Sequence, residues 1–285
     1  MRRAVILLTL ISVGCARQEE ARTYQLTGQV LAVKPESRQI LVKHDDIPGF
    51  MPAMTMPYDV RDASILEGRA PGDLITATLK VASDGAYLSA MTKTGAAPIP
   101  EDASTTIPPA AGITLLKPGD PVPDTALTDQ DGQRVTLADF KGSVVALTFI
   151  YTRCPLPQFC PLLDRRFAEV QKVVADTPSL AGKARLLSIS FDPKIDRPET
   201  LRAHARKLGA DPTVWRFATA DEEVVDRFAA RFGVNVIREK DATITHNLRT
   251  AVIGPDGRVS RILDDNAWSA DDLARALTDA AATAR

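Results

Sequence analysis

A proline-rich stretch divides this 285-residue chain into two parts whose hydrophobic patterns differ in period. Residues 95–119 read GAAPIPEDASTTIPPAAGITLLKPG, with Pro98, Pro100, Pro108 and Pro109 among small and polar residues. A segment of this kind stays semi-extended and joins folded units. Before it, residues 24–93 alternate apolar and polar in five short segments: 24–33, 39–44, 54–60, 74–81 and 87–93. Turn-formers separate them, as at Pro48-Gly49, Pro71-Gly72 and Asp84-Gly85. Five strands in so short a span predict a small closed, OB-like β-barrel.

After the stretch, strand and helix patterns alternate. Residues 143–152 form a nearly continuous apolar run, as a strand buried on both faces requires. Leu163, Phe167, Val170 and Val174 fall on one helical stripe, with Pro161 in the first turn. A second buried strand is expected at 184–191 and a helix at 199–208 closed by Gly209. Thr219 and Glu222 are spaced as a capping box for a third helix. Segments 249–253 and 258–263 flank the turn Gly254-Pro255-Asp256-Gly257, and Ser269 precedes a final helix. The order is that of an α/β thioredoxin-like fold. The expected organisation is a signal and tether over 1–22, the barrel over 23–94, the linker over 95–117 and the thioredoxin-like part over 118–285.

Arg2 and Arg3 precede an apolar run from Ala4 to Val13 that ends at Gly14-Cys15. This is the pattern of an export signal, and the run is too short to span a bilayer. Ser12-Val13-Gly14-Cys15 resembles the lipobox of bacterial lipoproteins, which implies a lipid on Cys15 and a membrane-anchored, periplasmic or extracytoplasmic protein. Acidic and basic residues nearly cancel, with a net charge of −1 and no basic run after the N-terminus. Nucleic acid is therefore not an expected partner.

Two cysteines remain, Cys154 and Cys160. Both lie between a buried strand and the start of a helix, where free N–H groups favour thiolate. In an oxidising compartment such a pair serves as a disulfide, a metal site or both in turn. Of the three histidines, His204 reads as a packing residue on a helix, and His246 precedes a hairpin strand that enters beside the cysteine loop. In the first part, Met51, Met54 and Met56 cluster within six residues, and Met54 and Met56 share a strand face near His44. Methionines also fill gaps in cores. With a histidine nearby, neutral and soft thioethers favour copper(I) over zinc or magnesium.

Two resemblances extend this reading. HDDIPGFMPAMTMPYDV, with His44 and Met54-Thr55-Met56, resembles the periplasmic copper-binding CusF family of five-stranded barrels. The resemblance implies a copper(I) site on His44, Met54 and Met56. That family has a tryptophan near the place held here by Met51, so Met51 is a third sulfur ligand or a lid. Residues 113–285 resemble the Sco/SenC family, copper chaperones and thiol oxidoreductases of cytochrome oxidase assembly. The resemblance is carried by Thr148-Phe149-Ile150-Tyr151-Thr152-Arg153-Cys154-Pro155, Cys160-Pro161, Ser190-Phe191-Asp192-Pro193, His246 and Gly254-Pro255-Asp256-Gly257. It implies that Cys154, Cys160 and His246 bind copper, as copper(I) or copper(II), with Asp192 as an acidic neighbour. The family's cysteine spacing is usually C-x3-C; here it is C-x5-C, enlarged around Leu156-Pro157-Gln158-Phe159. Delivery of copper to the dinuclear centre of cytochrome c oxidase is the implied function. The alternatives are a thiol–disulfide oxidoreductase cycling Cys154 and Cys160, with a peroxidase as its weaker form, or a copper buffer for resistance.

Overall fold

The computed structural model describes residues 21–51, 53–82, 85–99, 113–238, 244–266 and 268–283, with the backbone alone at 54 and 245. The expected lipidation site Cys15 and the centre of the proline-rich stretch lie outside these residues. No helix among the described residues is long and apolar enough to cross a membrane.

The first part is a closed barrel of β1 (Arg22–Lys34), β2 (Gln39–His44), β3 (Met54–Val60), β4 (Asp73–Ala82) and β5 (Gly85–Ala96), in the order β1-β2-β3-β5-β4. Closure leaves no free strand edge, which a sheet this small would otherwise expose. All pairs are antiparallel except β3 with β5. The register of β2 against β3 sets Ile40 opposite Tyr58, Val42 opposite Met56 and His44 opposite Met54. Ile40, Val42, His44, Met56 and Tyr58 are all buried, so this face points inward.

The second part is a thioredoxin-like unit. A short β6 (Leu127–Asp129) and β7 (Arg134–Val135) come first, then β8 (Val144–Ile150), α1 (Cys160–Asp176), β9 (Ala184–Ser190) and α2 (Pro198–Leu208). They are followed by β10 (Trp215–Thr219), α3 (Glu222–Arg231), β11 (Val236–Arg238), β12 (Ile244–His246), β13 (Arg249–Ile253), β14 (Val259–Asp264) and α4 (Ala270–Thr283). The main sheet runs β14-β13-β8-β9-β10-β6-β7, with β8, β9 and β10 parallel at its centre. All seven residues of β8 are buried, which accounts for the unbroken apolar run. The helix α1 packs on α4, and both lie against β8.

Two expectations are revised. Trp215–Thr219 is a strand that the sequence reading missed, because five residues buried at nearly every position carry no alternation. His246 ends β12, a short strand paired with β11 in a separate ribbon, and precedes the hairpin strand β13 as expected. Thr219 does not cap α3: its hydroxyl donates to the Ser190 carbonyl at 2.9 Å, and Asp221 occupies the cap position. The expected cap at Ser269 is present, with its hydroxyl accepting from the Asp272 N–H at 3.2 Å and donating to that residue's carboxylate at 2.6 Å.

Candidate metal centres

Cys154 lies in the loop after β8 and Cys160 is the first residue of α1. Both are free thiols, with Cys160 buried and Cys154 partly accessible. The Cys160 sulfur stands 3.7 Å from His246 Nε2. His246 Nδ1 lies 3.0 Å from the Asn247 carbonyl, which can only accept, so Nδ1 carries the proton and Nε2 presents a lone pair to the sulfur. The ring is walled edge-to-face by Phe191 and Tyr151, at centroid distances of 4.6 and 5.8 Å. Burial lowers the His246 pKa to about 4, so the ring is neutral and competent to ligate at neutral pH.

The two thiols are not equivalent, which corrects the expectation that the helix start favours both thiolates. Burial pushes Cys154 up, but hydrogen bonds from Cys160, from the backbone of Leu156 and Cys160 and from Tyr151 outweigh it and hold the thiol below its usual value. Cys160 is pushed well above its usual value by burial and by sharing its hydrogen bond with Cys154. The environment thus favours the thiolate more at Cys154 than at Cys160. Cys160 contacts both of the other groups, yet among the described residues no three His, Cys, Asp or Glu side chains are already arranged around one ion.

The loop that carries Cys154 is anchored by Asp196, which sequence reasoning missed. This carboxylate is fully buried and accepts from the Thr152 N–H at 2.9 Å, the Ser190 hydroxyl at 2.6 Å and the Thr152 hydroxyl. Asp192, expected near the site, is buried and pairs with Arg153 at 2.8 Å, one residue before Cys154. An Asp-Pro turn hides the first aspartate's role and gives no sign of the second. His204 does pack on α2, edge-on to Phe217, and its Nε2 meets the Asp164 carboxylate of α1 at 2.8 Å.

In the barrel, His44 repeats the arrangement of His246. Its Nδ1 lies 2.6 Å from the Asp45 carbonyl, and its buried Nε2 has no protein partner. Burial lowers its pKa, which keeps the ring neutral. Met56 is buried on the same inward face, two residues from Met54, which holds the register position opposite His44. Met51 is buried in the turn before β3, where Ile47 and Met51 exchange backbone hydrogen bonds of 2.8 and 3.1 Å. Met51 and Met56 thus belong to the barrel core. An orphaned imidazole nitrogen facing an interior with thioethers fits a soft monovalent ion.

A thioredoxin-like unit with two cysteines and a neutral histidine, behind a barrel with a histidine and methionines, defines a class of thiol-containing metal-handling proteins. Residues 118–282 match the SCO1/SenC family, and residues 23–93 match the family described as copper binding periplasmic protein CusF. The chain belongs to the SCO1/SenC family. It is 28% identical over 135 residues to the SCO1 protein homolog of Bacillus subtilis (strain 168), covering 46% of this chain and 67% of that one. It is 30% identical over 154 residues to peroxiredoxin Bcp of Escherichia coli (strain K12), covering 53% of this chain and 86% of that one. A solved SCO1/SenC family lipoprotein from Bacillus anthracis superposes with a TM-score of 0.52 at 25% identity, over 59% of this chain and 99% of that one.

Proposed function

We propose that this chain is an extracytoplasmic, lipid-anchored copper carrier in which the barrel collects copper(I) and the Cys154/Cys160/His246 site delivers it to the dinuclear copper centre of cytochrome c oxidase. The observation that carries this reading is shared by both parts. Each has a neutral imidazole whose Nδ1–H is spent on the next backbone carbonyl; Nε2 of His246 faces the Cys160 sulfur at 3.7 Å, and the buried Nε2 of His44 has no protein partner. That tautomer is the one a metal-ligating histidine holds when its outer nitrogen is fixed by a carbonyl.

The two sites suit successive steps. Thioethers and an imidazole offer a neutral set that releases a monovalent ion readily. The cysteine site offers negative charge, because Cys154, the more acidic of the two thiols, and Cys160 give up their protons to the solvent as the ion arrives. Copper therefore passes from a neutral set to an anionic one. A linker of roughly twenty-five residues at about 3 Å per residue gives the transfer enough reach, and tethering sets an effective concentration of about millimolar. The Cys15 lipid and the membrane anchor belong to this proposal and are supported by the N-terminal pattern.

The test is an anaerobic copper(I) titration of the reduced protein against a competing chelator. Two tight equivalents per chain are expected, with one remaining in Cys154→Ala/Cys160→Ala and one in Met54→Ala/Met56→Ala. A cysteine-site variant that keeps both equivalents would sink the proposal. Delivery is tested by adding the copper-loaded chain to the reduced apo copper subunit of the oxidase, and no transfer within minutes would count against it.

The unequal thiols favour a second reading, a thiol–disulfide oxidoreductase in which Cys154 attacks a client disulfide and Cys160 resolves it. Reduction of a client's copper-ligating cysteines without bound copper would support it. A peroxidase is less well supported, because Thr152 and Arg153 are engaged with Asp196 and Asp192.

A further inference from the structure

The enlarged segment between the two cysteines does more than space them. Its Gln158 carbonyl accepts a hydrogen bond from Asn266 Nδ2 at 3.0 Å, across 108 residues of sequence. Asn266 Oδ1 accepts in turn from Gln39 Nε2 of the barrel at 3.1 Å, and Gln39 Nε2 also donates to Asp59 at 2.9 Å. Gln39 and Asp59 face each other across β2 and β3, the two strands that carry His44 and the paired methionines. Arg166 of α1 fixes the backbone of Asn266 through its carbonyl at 2.8 Å. Gln39, Asn266 and Gln158 are each no more than 5% exposed. One asparagine side chain thus ties the barrel to the peptide that separates Cys154 from Cys160.

We propose that the Leu156–Phe159 segment is the seat on which the barrel docks through Asn266, so that barrel docking and closure of a Cys154–Cys160 disulfide are thermodynamically linked. The thiols are free in the docked arrangement. Closing them brings the sulfurs to about 2.0 Å and the β-carbons to about 3.8 Å. Pro155 and Pro157 leave the loop few ways to comply, and the peptide bearing the Gln158 carbonyl lies two residues from Cys160. Movement there breaks the bond to Asn266 and leaves buried polar groups without that partner. The docked barrel therefore favours the dithiol, and by reciprocity the dithiol favours the docked barrel. The inference uses the thiols of the site described above but no copper, so it stands or falls separately from the copper reading.

The experiment equilibrates the metal-free full chain with mixtures of reduced and oxidised dithiothreitol. The protein disulfide forms as the disulfide of oxidised dithiothreitol breaks, and two electrons and two protons pass from Cys154 and Cys160 to the reagent. Peptide-resolved alkylation then reads the fraction oxidised. Asn266→Ala and Gln39→Ala are each expected to make the pair about tenfold easier to oxidise, a potential about 30 mV more negative. The double variant should shift no further than either single variant, because both cut one path. If Asn266→Ala does not fold, Gln39→Ala, on the barrel side, carries the test alone. An equilibrium constant within twofold of the parent in Gln39→Ala would overturn the proposal.

Discussion

Asp196→Ala tests whether the cysteine loop owes its shape to a carboxylate that lies 36 residues downstream of Cys160. The side chain accepts three hydrogen bonds and is fully buried. Hydrogen bonds to charged groups contribute about 1.5–3 kcal/mol each. The three do not add, because removing the carboxylate also removes its own desolvation cost. The Thr152 and Ser190 hydroxyls can rotate to new acceptors, but the Thr152 N–H cannot, and an orphaned buried donor costs about 1–3 kcal/mol. The expected loss is about 3 kcal/mol. Asp196→Asn keeps an acceptor for the N–H and should lose about 1 kcal/mol. The chain's two tryptophans, Trp215 and Trp268, both lie in the thioredoxin-like unit, so their fluorescence follows its unfolding without the barrel. At a urea dependence of about 2 kcal/mol per molar, the midpoint should fall by about 1.5 M in Asp196→Ala. Copper affinity at the cysteine site should fall about tenfold or more in the same variant. A midpoint within about 0.3 M of the parent would refute the argument.

A β-carbon on Gly28 would lie 2.5 Å from the Lys43 carbonyl and 2.8 Å from the His44 α-carbon. Gly28→Ala should therefore force β1 from β2 at His44 and weaken copper binding at the barrel by about tenfold or more; an unchanged barrel equivalent would show that the site tolerates a displaced His44. Iodoacetamide should label Cys154 well before Cys160, with a rate that is half-maximal below the ordinary thiol pKa, since Cys154 is both more exposed and held low. Faster labelling of Cys160, read by peptide mass, would reverse the assigned roles. Protonation of His246 should become significant only as the pH falls toward its lowered value of about 4. In the unfolded chain the same ring titrates near 6.5. The unfolded state thus binds more protons between these values, and stability should be complete above about 6.5 and decline as the pH falls through that window. His246→Gln should flatten the decline seen by tryptophan fluorescence, and an unaltered profile would show that another group sets it.

Where periodicity was strong, the local sequence was enough. The alternation over residues 54–60 places β3 at Met54–Val60, and the apolar run in 143–152 contains β8. The resemblance on Cys154, Cys160 and His246 pointed to groups of which two touch, although 86 residues separate Cys160 from His246. The thioether and thiol chemistry is intrinsic to the side chains, so the choice of a soft ion was legible before any fold was known. Tertiary structure decided what depends on surroundings. Burial lowered His246 and raised Cys160 while hydrogen bonds lowered Cys154, and no local pattern encodes which neighbours supply them. Asp196, Gln39 and Asn266 are ordinary polar residues in sequence. They matter because the fold buries them and gives each a specific partner, and burying a polar group costs least when it is hydrogen-bonded.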